Sequence, residues 1–507
     1  MMLSVFYILT GLIIFGSVDA LEILAVETAS AKSHWNFMSA VLRSLSDNGH
    51  NVTVFTPFLD GNRVNYTEVY VEIPTNVGMN AIESLNMFGE PTAMISVIMN
   101  MSRHFCNIIY EQKDMRELLS SGKSNYDIII TEASTSECSS YVAYKLDLPM
   151  IYAMPSSMIT HIERTLVGDV SNPATVSHLM ANHAVPRTFA QRLSNVVLLG
   201  FSLFTHELKE MELKKIDAQP YDLVKPIKPS LMFMNTHYIT DAPRPTPASV
   251  ISIGGIHLNT PRSIPNDILE FIENSPHGVI YFTFGSVVAM STLPDHIQNA
   301  FKEALAQVPQ RVLWKYEGEM KDKPKNVMTS KWFPQRDILL HPNVKLFISH
   351  GGISGVYEAV DGGVPVLGFP LFYDQPRNID NLVEAGMGIS MDLLTVEKDE
   401  LLKNILDLTN NEKYAKNAKI TSERFKDRPM SPAESVVYWT EYVVRHRGAP
   451  HLKSHALNLT WYQYFLLDIV VVLLIFLSLV IFVTYKVFKI IYFYFLKYLQ
   501  NIKPKLE

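Results

Sequence analysis

Between Trp332 and Asn378 the sequence places glycines, a histidine, carboxylates, amides and an aromatic ring at spacings that could do binding chemistry. Ser349-His350-Gly351-Gly352 closes an apolar run and opens a helical pattern. A helix start leaves backbone N–H groups unpaired and carries the positive end of the helix dipole, so it favours an anion such as a diphosphate. Glycines there let a phosphate approach the backbone, and His350 can donate to a phosphate oxygen. Glu358 can accept two ribose hydroxyls, the part an acidic residue takes in dinucleotide folds. Trp332 can stack on a flat base, with Gln335 near the edge of that base. Asp374 and Gln375 close another strand and offer acceptors and donors to sugar hydroxyls. Far upstream, His34 stands at a loop-to-helix entry. An imidazole of pKa about 6.5 is partly neutral at neutral pH and can take a proton from a hydroxyl.

Such groups work together only if strand ends converge. Residues 21–26 form a short apolar run, 27–33 a polar loop of small residues, and Phe37, Val41 and Leu45 then mark a helix at i, i+4, i+8. Gly49 stops that helix, and 52–56 reads as a second strand. This βαβ order predicts a right-handed crossover and a parallel sheet. Further strands are expected at 126–131 and 150–153. The stretch 155–231 reads as helical and irregular, the acceptor-facing part of the first domain. A Pro-rich stretch, 241–247, reads as an interdomain linker. The alternation then restarts, with strands at 279–284, 311–316, 346–349 and 366–369 and helices at 295–307, 352–361 and 375–385. Two doubly wound α/β domains in tandem would face each other across a cleft, since ligands in such sheets lie beyond the carboxyl ends of the strands.

Net charge is −6 with both signs mixed, which excludes nucleic acid as an expected partner. The apolar excess sits at the two ends. Residues 1–20 carry an apolar stretch, 6–15, and then small residues at Val18 and Ala20, the pattern of a cleavable signal peptide. Residues 465–485 are almost wholly apolar, which as a helix spans roughly 30 Å, the thickness of a bilayer core. Trp461, Tyr462 and Tyr464 form an aromatic belt at its entry, Asp468 lies close enough to reach water, and Lys486 and Lys489 follow its exit, so the tail is expected in the cytosol. Lys503 and Lys505 resemble a dilysine retrieval signal of the endoplasmic reticulum. Cys106 and Cys138 are compatible with a disulfide in an oxidising lumen, no zinc-type spacing occurs, and sequons at Asn51, Asn65, Asn100 and Asn458 suit a luminal body.

The run Trp332-Phe-Pro-Gln335, Leu340-His-Pro342, His350-Gly-Gly352, Glu358, Gly363-Val-Pro365, Asp374-Gln375 and Asn378 closely resembles the signature of the UDP-glycosyltransferases. Phe284-Gly285-Ser286 matches the phosphate-binding turn that opens that family's second domain. Residues 427–432 and 437–442 through His451 match its C-terminal helices. The whole chain is similar to the membrane-bound animal branch, most like insect UDP-glucosyltransferases. The resemblance implies a GT-B fold, two Rossmann-like doubly wound domains facing a cleft, with one C-terminal transmembrane helix. It implies metal-independent, inverting transfer, with a UDP-sugar as co-substrate and no cofactor. By resemblance Ser286, Trp332, Gln335, His350, Gly352, Ser354, Gly355 and Glu358 hold UDP, while Asp374 and Gln375 hold the sugar. Ser354 stands where many animal members carry Asn. The family's catalytic histidine matches His34. A carboxylate should orient His34 and stabilise its imidazolium. The family usually has Asp at the end of the strand beginning at Asp127; here Glu132 stands there, with Glu137 as the alternative and Glu132 preferred.

The implied organisation is a signal peptide at 1–20, an acceptor-binding domain at 21–240, a linker at 241–250 and a UDP-sugar-binding domain at 251–424. Helices at 425–460 return toward the first domain and the membrane, a transmembrane helix covers 461–485, and a cytosolic tail covers 486–507. The donor is expected to be UDP-glucose, with UDP-glucuronate open. The acceptor is expected to be a small lipophilic phenol, allelochemical, pigment or steroid. The bilayer is an expected partner, and the resemblance suggests a homodimer. Two competing readings stand beside this one. The first is a catalytically inactive member that binds a lipophilic ligand, motivated by the carboxylate substitution. The second is a single-span cell-surface receptor.

Overall fold

The computed structural model describes residues 20–74, 78–89, 91–122, 125–132, 137–157, 160–238 and 241–502. The expected signal peptide, up to its last residue, and Lys503 and Lys505 lie outside the described residues. The chain divides into two units after Lys453.

The first unit holds two sheets. One has seven strands: β1 (Glu22–Val26), β2 (Asn51–Thr56), β3 (Tyr66–Tyr70), β4 (Ile128–Glu132), β5 (Met150–Met154), β6 (Leu231–Met234) and β7 (Val250–Ser252), in the order β3-β2-β1-β4-β5-β6-β7. The other has six: β8 (Val279–Thr283), β9 (Arg311–Lys315), β10 (Val327–Ser330), β11 (Val344–Ser349), β12 (Val366–Gly368) and β13 (Gly388–Ser390), in the order β10-β9-β8-β11-β12-β13. Neighbouring strands run parallel in both sheets. Parallel sheets are covered on both faces, which is why a central strand such as Ile-Ile-Ile-Thr-Glu at β4 is buried throughout rather than alternating. The helix Lys32–Asp47 puts Phe37, Val41 and Leu45 against the first sheet, each at most 1% exposed. Each such burial is worth about 1.5–3 kcal/mol. The chain reverses beyond it at Gly49, whose φ of 90° is one a side chain would resist.

The stretch expected as a linker, 241–250, is not the passage between domains. It leads into β7, where Met232 pairs with Val250, so the first sheet extends to Ser252 and the chain crosses over only afterwards. The strands β3, β6, β7, β10 and β13 were not among the sequence expectations. The helix Pro432–Arg445 opens with a capping box between Ser431 and Glu434 and buries Val436 and Val443 beside Trp35 and Val41 of the first domain. The two domains are tied together by an ion pair from Arg377 to Asp241 at 2.8 Å and by the N–H of Ala184 donating to Asp380 at 2.6 Å. A parallel bridge from Met79 to Val288 adds to this. A disulfide joins Cys106, on the helix Pro91–Glu111, to Cys138.

The helix Phe189–Ile216 has inverted polarity. Asn195 and Ser202 are buried, while Phe189 is 73% and Phe204 65% exposed. In the second unit the helix Leu467–Ile502 is long and apolar enough to cross a membrane. It does not stop at residue 485: the stretch expected as a tail, 486–507, is helical as far as Ile502, giving a rod of about 54 Å.

Candidate active site

The carboxyl ends of both sheets border one cleft of about 960 Å³, within the first unit. On the side of the second sheet, β11 ends at Ser349 and the helix Ile353–Gly362 starts right after Gly352. No side chain caps that helix start, so its first N–H groups face the cleft unpaired. His350 is wedged between two glycines. A Cβ on Gly285 would sit 2.7 Å from its Cε1, and one on Gly352 would sit 2.5 Å from its Nε2. Gly285 also has φ 77° and Gly351 φ 82°, conformations that favour glycine. Burial, helped by the charge of Lys315, pushes His350 down to a pKa of about 4. The ring is therefore neutral, and its Nδ1 is buried without a partner among the described residues. Helix dipole, bare N–H groups and a neutral donor make a seat for an anion of the diphosphate kind. Lys315, at the end of β9 and paired with Glu317 at 2.6 Å, lines the same cleft and adds a cation that the sequence pattern did not single out.

Ser286, Ser354 and Gly355 border the cleft as well. The carbonyl of Ser354 lies 3.2 Å from Nε2 of buried His257, which ties the loop to the first turn of the helix. Trp332 is 66% exposed at the cleft, free to receive a flat ring on its face. Gln335 borders the cleft and is engaged on both sides of its amide. Its amide nitrogen donates to Glu358 and its oxygen accepts from the Tyr281 hydroxyl at 3.3 Å. It thereby holds the Glu358 carboxylate in place. Burial pushes Glu358 up to a pKa of about 7, against the pull of Gln335 and Arg336.

On the side of the first sheet, His34 Nδ1 lies 2.8 Å from Oε1 of Glu132, the last residue of β4. Glu132 is buried, and His34 keeps about a third of its surface open to the cleft. Burial lowers the basicity of His34, but the charge and hydrogen bond of Glu132, and then the charge of Asp374 from the other domain, raise its pKa overall. An Nδ1–H held by Glu132 leaves Nε2 as the basic atom. Asp374 accepts from Asn378 at 2.8 Å, and burial raises its pKa. The side-chain Oε1 of Gln375 accepts from the N–H groups of Leu371 and Phe372, so its Nε2 is the group it can offer a ligand. The side chain of Glu137 lies outside the described residues.

Each of the expected residues other than Glu137 borders this cleft. The sequence reading missed its apolar wall of Met94, Ile98, Met101 and Phe105. These stand at i, i+4, i+7 and i+11 of the helix Pro91–Glu111, a periodicity that would have revealed the helix. Its methionines are soft, adaptable side chains, and it lines the same cleft as His34.

A family profile described as "UDP-glucoronosyl and UDP-glucosyl transferase" matches residues 23–502. A UDP-glucosyltransferase 2 of Dactylopius coccus is 38% identical over 475 residues, covering 91% of this chain and 92% of its own. A UDP-glucuronosyltransferase 2B15 of Rattus norvegicus is 31% identical, covering 92% of each. Among solved structures, the glycosyltransferase VinC in complex with DTDP superposes with a TM-score of 0.55 at 16% identity, covering 84% of this chain and all of that one. That likeness speaks to the GT-B fold.

Proposed function

The chain belongs to the family of UDP-glucuronosyl and UDP-glucosyl transferases, and from that premise we propose that it transfers glucose from UDP-glucose to a small lipophilic acceptor with His34 as the general base. The observation that carries the mechanism is the His34–Glu132 contact opposite Asp374, across the cleft from the His350 and Gly352 anion seat. Neutral Nε2 of His34 takes the proton of the acceptor hydroxyl as its oxygen attacks the anomeric carbon. The bond from that carbon to the diphosphate breaks on the opposite face, so the configuration inverts. Glu132 offsets the charge of the imidazolium that results. The helix N-terminus, His350 and Lys315 stabilise the charge growing on departing UDP. Ser286, Ser354, Gly355 and Trp332 border the nucleotide in this reading, Glu358 takes the ribose hydroxyls, and Asp374 and Gln375 take the hydroxyls of the sugar. The glucosyltransferase names among the relatives support glucose as the donor sugar. UDP release should be measured with phenolic acceptors and UDP-glucose, UDP-glucuronate or UDP-galactose as donor. UDP-glucose should lead in kcat/KM by at least about tenfold. A lead for UDP-glucuronate would overturn the donor, and tight UDP-glucose binding without turnover on any acceptor would make this a binding protein.

We further propose that the helix Leu467–Ile502 anchors the enzyme in the endoplasmic reticulum membrane with its catalytic domains luminal, and that the bilayer is also met by the helix Phe189–Ile216. What supports the second contact is the outward apolar stripe of Phe189, Leu193, Val196, Phe204, Leu208 and Met211, flanked by Arg187, Arg192, Lys214 and Lys215. Exposed apolar stripes bounded by basic residues fit the headgroup–acyl boundary. The only two cysteines are paired with each other, so Phe204→Cys supplies a single site for a nitroxide label. In lipid nanodiscs the label at 204 should relax with oxygen and be shielded from a water-soluble nickel complex, while a label at exposed Lys323 shows the reverse. Equal access of the nickel complex to both sites would sink this contact.

A further inference from the structure

The ends of β1 and β4 bring a second acid to the catalytic side. Val26 pairs with Thr131, so the next residue on each strand, Glu27 and Glu132, emerges side by side although they lie far apart in the chain. Both are buried, Glu27 at 1% exposure and Glu132 at 6%. Glu27 is held from both directions. Its backbone N–H donates to Phe55, and its Oε1 accepts the N–H of Ala29 at 2.9 Å. Its other oxygen, Oε2, is buried and meets no donor among the described residues. The charge of Glu132 opposes the ionisation of Glu27. Two adjacent buried carboxylates cannot both be ionised, so one of them keeps a proton. Glu132 faces the ring of His34 at 2.8 Å and is stabilised as the anion by it. The proton therefore belongs on Glu27.

We propose that Glu27 is a positioning residue for the transfer reaction: an un-ionised carboxylic acid that donates its O–H to Glu132 and so fixes the carboxylate that orients His34. This extends the reading of His34 as the base and rests on it. Burial first, and the charge of Glu132 second, hold Glu27 well above the usual carboxylate range, in keeping with a neutral acid there. The arrangement does two things. It holds Glu132 in one rotamer by giving its carboxylate a second hydrogen-bond partner beside His34. It also draws off part of the negative charge that Glu132 presents to His34, so that His34 is not made so basic that it stays protonated. The titratable groups facing this line are Glu27, Glu132 and His34, with Tyr373 reaching Glu132 and Asp374 reaching His34 from the other domain.

The test uses the full-length enzyme in membranes and three substitutions. Glu27→Gln keeps a donor to Glu132, so its kcat should stay within about threefold of the unaltered enzyme. Glu27→Met fills nearly the same volume without a donor. Its kcat should fall about tenfold with the KM for UDP-glucose unchanged. The acid limb of its kcat–pH profile should also move to higher pH by about half a unit or more, because the full charge of Glu132 then acts on His34. A merely structural role predicts no such shift and no rescue by Gln. UDP binding and thermal melting report whether each variant is folded; should Glu27→Met fail to fold, Glu27→Ala takes its place. Gln and Met variants that match each other, or a pH limb that stays put, overturn the role of Glu27. His34→Ala separates this from the reading beneath it: if His34→Ala is inactive while the Glu27 variants match, only Glu27 is wrong, whereas an active His34→Ala removes the base itself.

Discussion

His34→Ala should lower kcat about a thousandfold while the affinity for UDP-glucose stays within about twofold, because a general base contributes 10²–10⁴ and His34 follows β1 of the first sheet, whereas the anion seat follows β11 of the second. The sign of the pH effect follows from its partners. The base must be unprotonated to act. The pKa of His34 is raised above its ordinary 6.5, because Glu132 and Asp374 outweigh the burial that alone would lower it. The acid limb of the kcat profile should therefore lie on the alkaline side of 6.5 and vanish in the variant, whose residual rate is flat with pH. Steady-state kinetics from pH 5.5 to 8.5 with isothermal titration of UDP-glucose would check both parts. A variant that kept its kcat, or lost donor affinity instead, would remove His34 from the chemistry.

The residues proposed to hold the donor could be picked out because they are local in sequence. His350, Gly352 and Glu358 lie on one strand end and the helix that follows it, so a few neighbouring residues fix their geometry, and Gly351 and Gly285 mark backbone turns that side chains resist. The catalytic half depends on register. Glu27 and Glu132 are neighbours only because Val26 pairs with Thr131, and no local pattern reports a pairing between distant strands. The same holds for β7: its pairing with β6 extends the first sheet beyond a Pro-rich stretch that, read locally, resembles a linker. Gln335 shows the limit at the level of one side chain. The motif marks it as part of the site, but its task of bridging Tyr281 and Glu358 is visible only once β8 and two helices are packed together. The choice between Glu132 and Glu137 was likewise a question of distance, and the contact of Glu132 with His34 is what favours the first.

Glu358→Gln should weaken UDP-glucose binding by one to two orders of magnitude at pH 8, and it should also erase a pH dependence that the unaltered enzyme shows. Burial lifts Glu358 to a pKa of about 7; Asp337 and Asp361 push the same way, Gln335 and Arg336 oppose. Without a ligand it is about half protonated near neutrality. Two ribose hydroxyls can both donate only to the ionised form, so binding expels the proton. The affinity for UDP-glucose should then rise about twentyfold from pH 5.5 to 7.5 and level off above, whereas the Gln variant stays flat. UDP-glucose is the right probe, since its diphosphate diester does not titrate in this window. Folding stability should move in the opposite sense. A carboxyl whose folded pKa is raised holds its proton better in the folded chain, so its contribution is complete below 4.5 and is lost as pH climbs through about 7. Thermal melting should accordingly find Glu358→Gln gaining on the unaltered enzyme between pH 5 and pH 8. A variant that binds worse and stands better with rising pH marks a charge kept in the cleft for its ligand, at the expense of the fold. If Glu358→Gln lost stability and left the affinity curve unchanged, Glu358 would be a structural acid and the ribose would have to be held elsewhere.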